Sequence, residues 1–354
     1  MSRFLSGRFE KLVAYVPGEQ PRDKSYIKLN TNESPYPPAP QVIEALSLNE
    51  INDLKLYSDP ECKNLREALA EHYGVKPVNL MIGNGSDEVL SFIFMAFCDK
   101  AIGVSYPDIS YGFYPVYAEL YGINKNEIPL RSDLTINASD FQNTGTTVVL
   151  ANPNAPTGIC LSVSDVEEIV KSNANNIVVI DEAYIDFGGE SCIPLTKKYD
   201  NLLVVQTYSK SRSMAGARLG YAIGSSELIE DLEKLRYSTN PYNINRLTLL
   251  AGEAALKGQA YFDKNNNEII QIREYSAERL KQLGFLLTDS KANFIFAKHP
   301  KFNGEDLYLK LKSRGILVRY FSKPRISDYL RITVGSVEQM ESLLSTLKEI
   351  TEDA

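Results

Sequence analysis

The sequence predicts an α/β protein in which a mostly parallel sheet lies between helices and a smaller α+β unit follows it. Three observations carry this. Apolar runs at 102–104, 147–150, 177–180, 202–205 and 221–223 lack strict alternation, as expected of strands covered on both faces. Helical segments separate these runs, the order that builds parallel crossovers. Beyond residue 283 the pattern changes to strands at 292–297, 316–318 and 330–334, with helices at 306–312 and 337–350.

The elements follow from local signals. Pro17, Gly18 and Pro21 break regular structure, and the proline-dense stretch 34–40 reads as a loop. Residues 1–30 are therefore expected as an extended arm that packs with the small domain or a partner subunit. Asp59-Pro60-Glu61 reads as a helix opening, with an N-cap, a proline at the first position and an acid in the first turn. Gly74 reads as the helix's C-terminal stop. Two glycines, Gly83 and Gly85, precede Ser86-Asp87-Glu88 and an apolar helix through Phe97. A long polar helical stretch runs from about residue 244 to Leu283. At 354 residues the chain exceeds what one core usually covers. A large domain is expected over 31–245 and a small one over 246–354.

Composition narrows the function. The net charge is −7 with no basic block, which argues against nucleic acid as the main partner. Cys62, Cys98, Cys160 and Cys192 are widely spaced and read as reduced thiols. No apolar run has the length of a membrane span, and residues 1–8 lack a signal-peptide apolar region. A cytoplasmic location is expected. The two histidines, His72 and His299, have no nucleophile or metal-ligand partner nearby in sequence. Hydrolytic triads and histidine-rich zinc sites are thereby disfavoured, and no metal is expected. Proton chemistry then falls to a lysine, a carboxylate or a tyrosine.

Lys210 ends the apolar run at 202–205 with Ser209 beside it, and Arg218 follows eight residues later in a glycine-rich turn. An amine in that place can form an imine with an aldehyde while Ser209 and Arg218 hold a phosphate. The aldehyde that carries a phosphate is pyridoxal 5′-phosphate. The rest of the chain supplies what that group needs. Gly85, Ser86 and Asp87 stand at a helix start, where backbone N–H groups and the macrodipole bind phosphate. Asp181 ends a buried strand, where open α/β sheets bind ligands, and can hold a ring nitrogen protonated. Tyr184 can donate to the ring's phenolic oxygen, Tyr111 can stack on the ring face, and the turn at 152–158 can offer an amide. Taken singly, each has an ordinary structural reading: a solvated lysine, a capped helix, a packing tyrosine. Their order along one sheet edge is the more specific signal.

The motifs LNTNESPYPPAP, IGNGSDE, SYGFY, NPNAPTG, VIDEAYIDF, YSKSRSMAGARLGYAIG, PYNINRL, ANFIFA, GILVRYF and YLRITVG appear over nearly the whole chain. In this order they resemble the fold-type I pyridoxal-phosphate-dependent aminotransferases, and most of all the histidinol-phosphate aminotransferases. The resemblance implies a seven-stranded large-domain sheet and a homodimer with shared active sites. It implies that Lys210 carries the cofactor and moves the proton, and that Asp181 pairs with the pyridinium. Tyr57 would reach the partner subunit's cofactor phosphate. Tyr15, Asn32, Asn243, Arg319 and Arg331 would touch substrate, with an amino donor and a 2-oxo acid as reactants in histidine biosynthesis. Two other activities share most of these motifs, threonine-phosphate decarboxylation and aromatic amino acid transamination. One departure stands out. The family places an asparagine directly before Pro-Thr-Gly, and here that residue is Ala155. Either Asn154 supplies the amide or Tyr184 makes the contact alone.

Overall fold

The computed structural model describes residues 3–10 and 12–352. Met1, Ser2 and Lys11 of the expected arm, and Asp353 and Ala354 at the other end, lie outside them. Among the described residues twelve strands form two sheets: β1 Ile27–Leu29, β2 Leu80–Gly83, β3 Val104–Pro107, β4 Lys125–Ile128, β5 Thr147–Ala151, β6 Val178–Asp181, β7 Leu202–Thr207, β8 Gly220–Ile223, β9 Leu286–Leu287, β10 Phe294–Lys298, β11 Ile316–Tyr320 and β12 Tyr329–Thr333. The helices are α1 Pro40–Ala45, α2 Leu48–Asn52, α3 Lys63–Tyr73, α4 Ser86–Phe97, α5 Tyr114–Tyr121, α6 Val163–Ser172, α7 Ser226–Thr239, α8 Arg246–Lys257, α9 Gln259–Gln282, α10 Gly304–Ser313 and α11 Val337–Glu352.

The larger sheet has seven strands in the order β2-β8-β7-β6-β5-β3-β4. Strands β7, β6, β5, β3 and β4 run parallel, and β8 is antiparallel to both of its neighbours. Every residue of β5, β6 and β7 is buried, because helices cover both faces. The antiparallel β8 has a consequence for function. Its first residue, Gly220, pairs with Thr207, the last residue of β7, and with Gly83, the last of β2. The segment entering β8, which carries Arg218, therefore reaches the same sheet edge as the ends of the parallel strands. A side chain at Gly220 would put its Cβ 2.3 Å from the Ser86 backbone nitrogen. Only glycine lets β8 pass that close to the start of α4.

The smaller sheet has the order β1-β11-β12-β10-β9. Only β1 with β11 is parallel. The end of the expected arm is thus a strand of this sheet. The expected boundary at residue 246 also meets the packing differently. Ala251, Ala254 and Ala255 of α8 join the core of the larger sheet. Helix α9 buries Phe262 in that core, and Ile269, Ile272 and Leu280 in the core of the smaller sheet. One helix thereby serves both, since a 24-residue helix is about 36 Å long.

Some local expectations shift. Helix α3 begins at Lys63, with Cys62 left-handed at its cap. Asp59 still acts as a cap, but across a turn: its carboxylate accepts from the N–H groups of Glu61 at 3.0 Å and Lys63 at 2.8 Å. The strand expected at 102–104 lies at β3 instead, and Ile102 is exposed. The long polar stretch is two helices, α8 and α9, which meet at Gly258. Among the described residues no helix is long and apolar enough to cross a membrane.

Candidate active site

A cavity of about 980 Å³, counted to its open mouth, lies where the C-terminal ends of the parallel strands face β1, β11 and β12. Its walls carry Ser86, Asp87, Tyr111, Asp181, Tyr184, Ser209, Lys210 and Arg218 from the larger sheet's edge. Tyr15, Asn32, Arg319 and Arg331 come from the arm and the smaller sheet. Twelve residues expected at the site are thus brought together.

Asp181 ends β6, and burial raises its carboxyl from 3.8 to about 7. Its Oδ2 accepts from the Tyr114 hydroxyl at 3.0 Å. Its Oδ1 is buried and has no hydrogen-bond partner among the described residues. An orphaned buried acceptor is costly unless a donor arrives, and a protonated ring nitrogen is such a donor. Lys210 has its pKa lowered to about 8, first by burial and then by Arg331. Among the described residues its Nζ donates only a long hydrogen bond, 3.3 Å to the Thr31 carbonyl. It lies 5.8 Å from the centre of the Tyr184 ring.

The anion-binding end is built from backbone and Arg218. Gly85 caps α4 with φ 81°, and a Cβ there would lie 2.5 Å from an Arg218 guanidinium nitrogen. Arg218 Nη2 pairs with Asp87 at 2.9 Å, and the Tyr111 hydroxyl donates to the other Asp87 oxygen at 2.6 Å. Asp87 therefore sets the poses of Arg218 and Tyr111 through its side chain. The Thr207 hydroxyl donates to Ser209 Oγ at 3.0 Å. These residues fit a phosphate: a helix N-terminus, a hydroxyl cluster and a guanidinium converge. Together with the unpaired Asp181 Oδ1 and the Lys210 amine, they match pyridoxal phosphate end to end.

At the other end, Arg319 and Arg331 are direct partners across antiparallel β11 and β12. Arg319 donates to the carbonyls of Val16 and Pro17, at 3.1 and 3.2 Å. Arg331 donates to the Asn30 carbonyl at 3.2 Å, and its buried Nε has no partner among the described residues. Burial presses the Arg331 pKa down, and Arg319 adds to this. Tyr15 packs on Phe113, with ring centres 4.2 Å apart, and leans on Tyr111 at 6.5 Å.

Four expected residues are not on the cavity wall: Gly85, which shapes the α4 cap behind Ser86, and three others. Asn154 is spent on tying its own loop to the loop after β3. Its amide donates to the Ile109 carbonyl and to Thr157, and its oxygen accepts from Ser110. Ala155 reaches the cavity in its place. Asn243 donates to Glu88 at 2.5 Å and accepts from Arg236 at 3.3 Å, so it braces the start of α4 from behind. Tyr57 is 80% exposed and stacks on Tyr242, away from this chain's own cavity. Other residues of the site carried no sequence signal: Asn30 on the wall, and Tyr114 and Thr333 behind it, bonded to Asp181 and Asn32. Tyr114 reads as core packing in an apolar helix, and nothing along the chain marks Thr333 or Asn30 as site neighbours.

This fold and site define a class. Residues 24–347 match the family of class I and II aminotransferases, and the chain belongs to that family; it is a transaminase. Its similar relatives bear a narrower name. It is 52% identical over 351 residues to the histidinol-phosphate aminotransferase of Brachyspira hyodysenteriae, covering 99% of both chains. It is 48% identical over 349 residues to the enzyme of that name from Clostridium acetobutylicum, again covering 99% of each. Among solved structures, the Sinorhizobium meliloti histidinol-phosphate aminotransferase in complex with pyridoxal-5′-phosphate superposes with a TM-score of 0.86 at 25% identity. That match covers 93% of this chain and 92% of that one.

Proposed function

We propose that the chain moves an amino group from L-glutamate to 3-(imidazol-4-yl)-2-oxopropyl phosphate, giving L-histidinol phosphate and 2-oxoglutarate, in histidine biosynthesis. Pyridoxal 5′-phosphate is the cofactor, held by the α4 N-terminus, Ser86, Ser209, Arg218, Asp181 and Tyr111. When bound, it supplies the electron sink for charge formed at the substrate Cα. Lys210 Nζ takes the proton from that carbon and returns it during the shift, which its lowered pKa suits. Asp181 keeps the ring nitrogen protonated by charge. Tyr15 and Tyr111 exclude water from the reacting face.

The observation that carries the substrate reading is the arginine pair. Like charges directly opposite across antiparallel strands are unfavourable, and among the described residues neither arginine forms an ion pair. A dianionic phosphate, or the side-chain carboxylate of glutamate, relieves that repulsion. Arg331→Ala is expected to raise KM for histidinol phosphate and for 2-oxoglutarate by roughly 10- to 100-fold, with a smaller change in kcat. Arg319→Ala acts in the same direction but less, because Arg319 is more open to water. Steady-state kinetics with both substrates check this.

A homodimer is part of the same reading. The segment through α1 and α2 exposes Ile43, Leu48, Leu54, Leu56 and Tyr57, a run that a second copy would cover while Tyr57 reaches its cofactor phosphate. The two sheets act as two structural units joined through α9, and the protein works in the cytoplasm.

The deciding experiment is a half-reaction without keto acid. The cofactor-loaded protein is mixed separately with histidinol phosphate, phenylalanine and threonine phosphate. Rapid conversion by histidinol phosphate, from absorbance near ~420 nm to near ~330 nm, is the expected result. Conversion by phenylalanine instead would move the substrate, and CO₂ release from threonine phosphate would replace the reaction.

A further inference from the structure

Ala155 leaves the cavity without the amide that the family resemblance implies at that position, and the Asn154 side chain is turned away onto Ile109, Ser110 and Thr157. A different amide stands next to Tyr184. Asn32, between β1 and the proline-dense loop, is 1% exposed and left-handed, with φ 55°. Its Nδ2 donates to the Tyr184 hydroxyl at 3.0 Å. The rest of Asn32 is pinned on three sides. Its backbone N–H donates to Thr333 Oγ1 at 2.9 Å, the Thr333 hydroxyl donates to its Oδ1 at 3.1 Å, and its carbonyl accepts from Asn293 Nδ2 at 3.1 Å.

Proton accounting gives this arrangement a direction. Thr333 Oγ1 accepts from the Asn32 N–H, and its own hydrogen goes to Asn32 Oδ1. The amide then presents its NH₂ group to Tyr184. The Tyr184 oxygen accepts there and cannot donate back to an NH₂. Burial raises the Tyr184 pKa, so the hydroxyl keeps its hydrogen. That hydrogen is left to point at a third group, and Tyr184 lines the cavity beside Ala155.

We propose that Asn32, locked by Thr333, is a positioning residue that aims the Tyr184 O–H at the cofactor's ring oxygen and so does from the smaller sheet what the absent asparagine at 155 would do from the larger one. This rests on the reading of the site as a pyridoxal-phosphate site. It also ties the cofactor's electronics to the seating of β12, because Thr333 is that strand's last residue. The charged groups facing Tyr184 are Arg331, Asp181 and Asp87, together with Lys210, whose Nζ lies 5.8 Å from the ring centre. The two acids accept only, and Arg331 and Lys210 direct their hydrogen bonds to the carbonyls of Asn30 and Thr31, so the Tyr184 hydroxyl accepts from Asn32.

The test is a pH titration of the absorbance of the bound cofactor, with no substrate present. A donor on the ring oxygen weakens that oxygen's hold on the neighbouring imine proton and lowers the pH midpoint. Tyr184→Phe is expected to raise the midpoint by roughly half a unit to one unit. Asn32→Ala should raise it in the same direction, and the double variant should add little to Tyr184→Phe alone. Thr333→Val, which leaves Asn32 in place, covers the case in which Asn32→Ala fails to fold, and it should give a smaller shift of the same sign. A midpoint that moves with Tyr184→Phe but not with Asn32→Ala or Thr333→Val overturns the inference and leaves the cofactor reading intact. A wild-type protein that forms no titrating chromophore overturns both.

Discussion

Replacing Lys210 with alanine is expected to lower the rate of amino transfer by about 10⁴-fold or more, because one side chain supplies both the covalent anchor and the moving proton. The cofactor should still bind, since the α4 N-terminus, Ser86 and Arg218 are untouched, but without the absorbance of a lysine adduct. Lys210→Arg separates charge from chemistry. A guanidinium keeps its proton at every working pH, so this variant preserves the positive charge and should be as inactive as the alanine. Activity retained in either variant would mean that another group moves the proton. The wild-type pH dependence follows from the lowered value of about 8. Capture of the cofactor needs the neutral amine, so its rate should rise as pH passes through 8 and level off above. Stopped-flow absorbance of the cofactor-free protein mixed with pyridoxal phosphate reads this directly.

Asp181→Asn has the second-largest expected effect, a fall of roughly 10²- to 10³-fold in kcat/KM with a clear loss of cofactor affinity. Removing one partner of a buried charge pair costs about 3–5 kcal/mol, and asparagine cannot hold the ring nitrogen protonated by charge. The same residue predicts a stability trend in the cofactor-free protein. Burial places its folded pKa at about 7, above the unfolded 3.8. Between those values the folded chain holds a proton that the unfolded chain has released, so stability falls as pH rises through that window. The contribution is fully present below pH ~4 and lost once pH exceeds ~7. Asp181→Asn should flatten this part of the curve. Pyridoxal phosphate should reverse it by giving the carboxylate a cation. Chemical denaturation at pH 5, 6 and 7, with and without cofactor, measures the effect; an unchanged slope in the variant would assign the trend to another group, such as the buried Glu182, whose pKa burial also raises to about 7.

Much of the site could be read along the chain because its parts are short and local. A lysine three residues past a buried strand, an acid at a strand end and glycines before a helix each lie within one strand-to-helix turn. In a parallel sheet every such turn falls on one edge. Lys210, Asp181, Tyr111 and Ser86 were therefore placed together without any knowledge of pairing. Arg218 is a harder case. It reaches that edge only because β8 runs antiparallel, which spacing alone does not reveal.

What the amino-acid sequence by itself determined was the element types, the parallel α/β class and the residues whose chemistry suits one cofactor, since these depend on local periodicity and residue type. The tertiary structure alone decided which side chains are free to act. Asn154 and Asn243 carry the right chemistry, yet their amides are consumed by Ile109, Thr157, Glu88 and Arg236. Asn32 and Thr333 are 301 residues apart and meet only when β1 and β12 join one sheet. A hydrogen-bond donor has one direction at a time, and that direction is set by long-range packing rather than by neighbours along the chain.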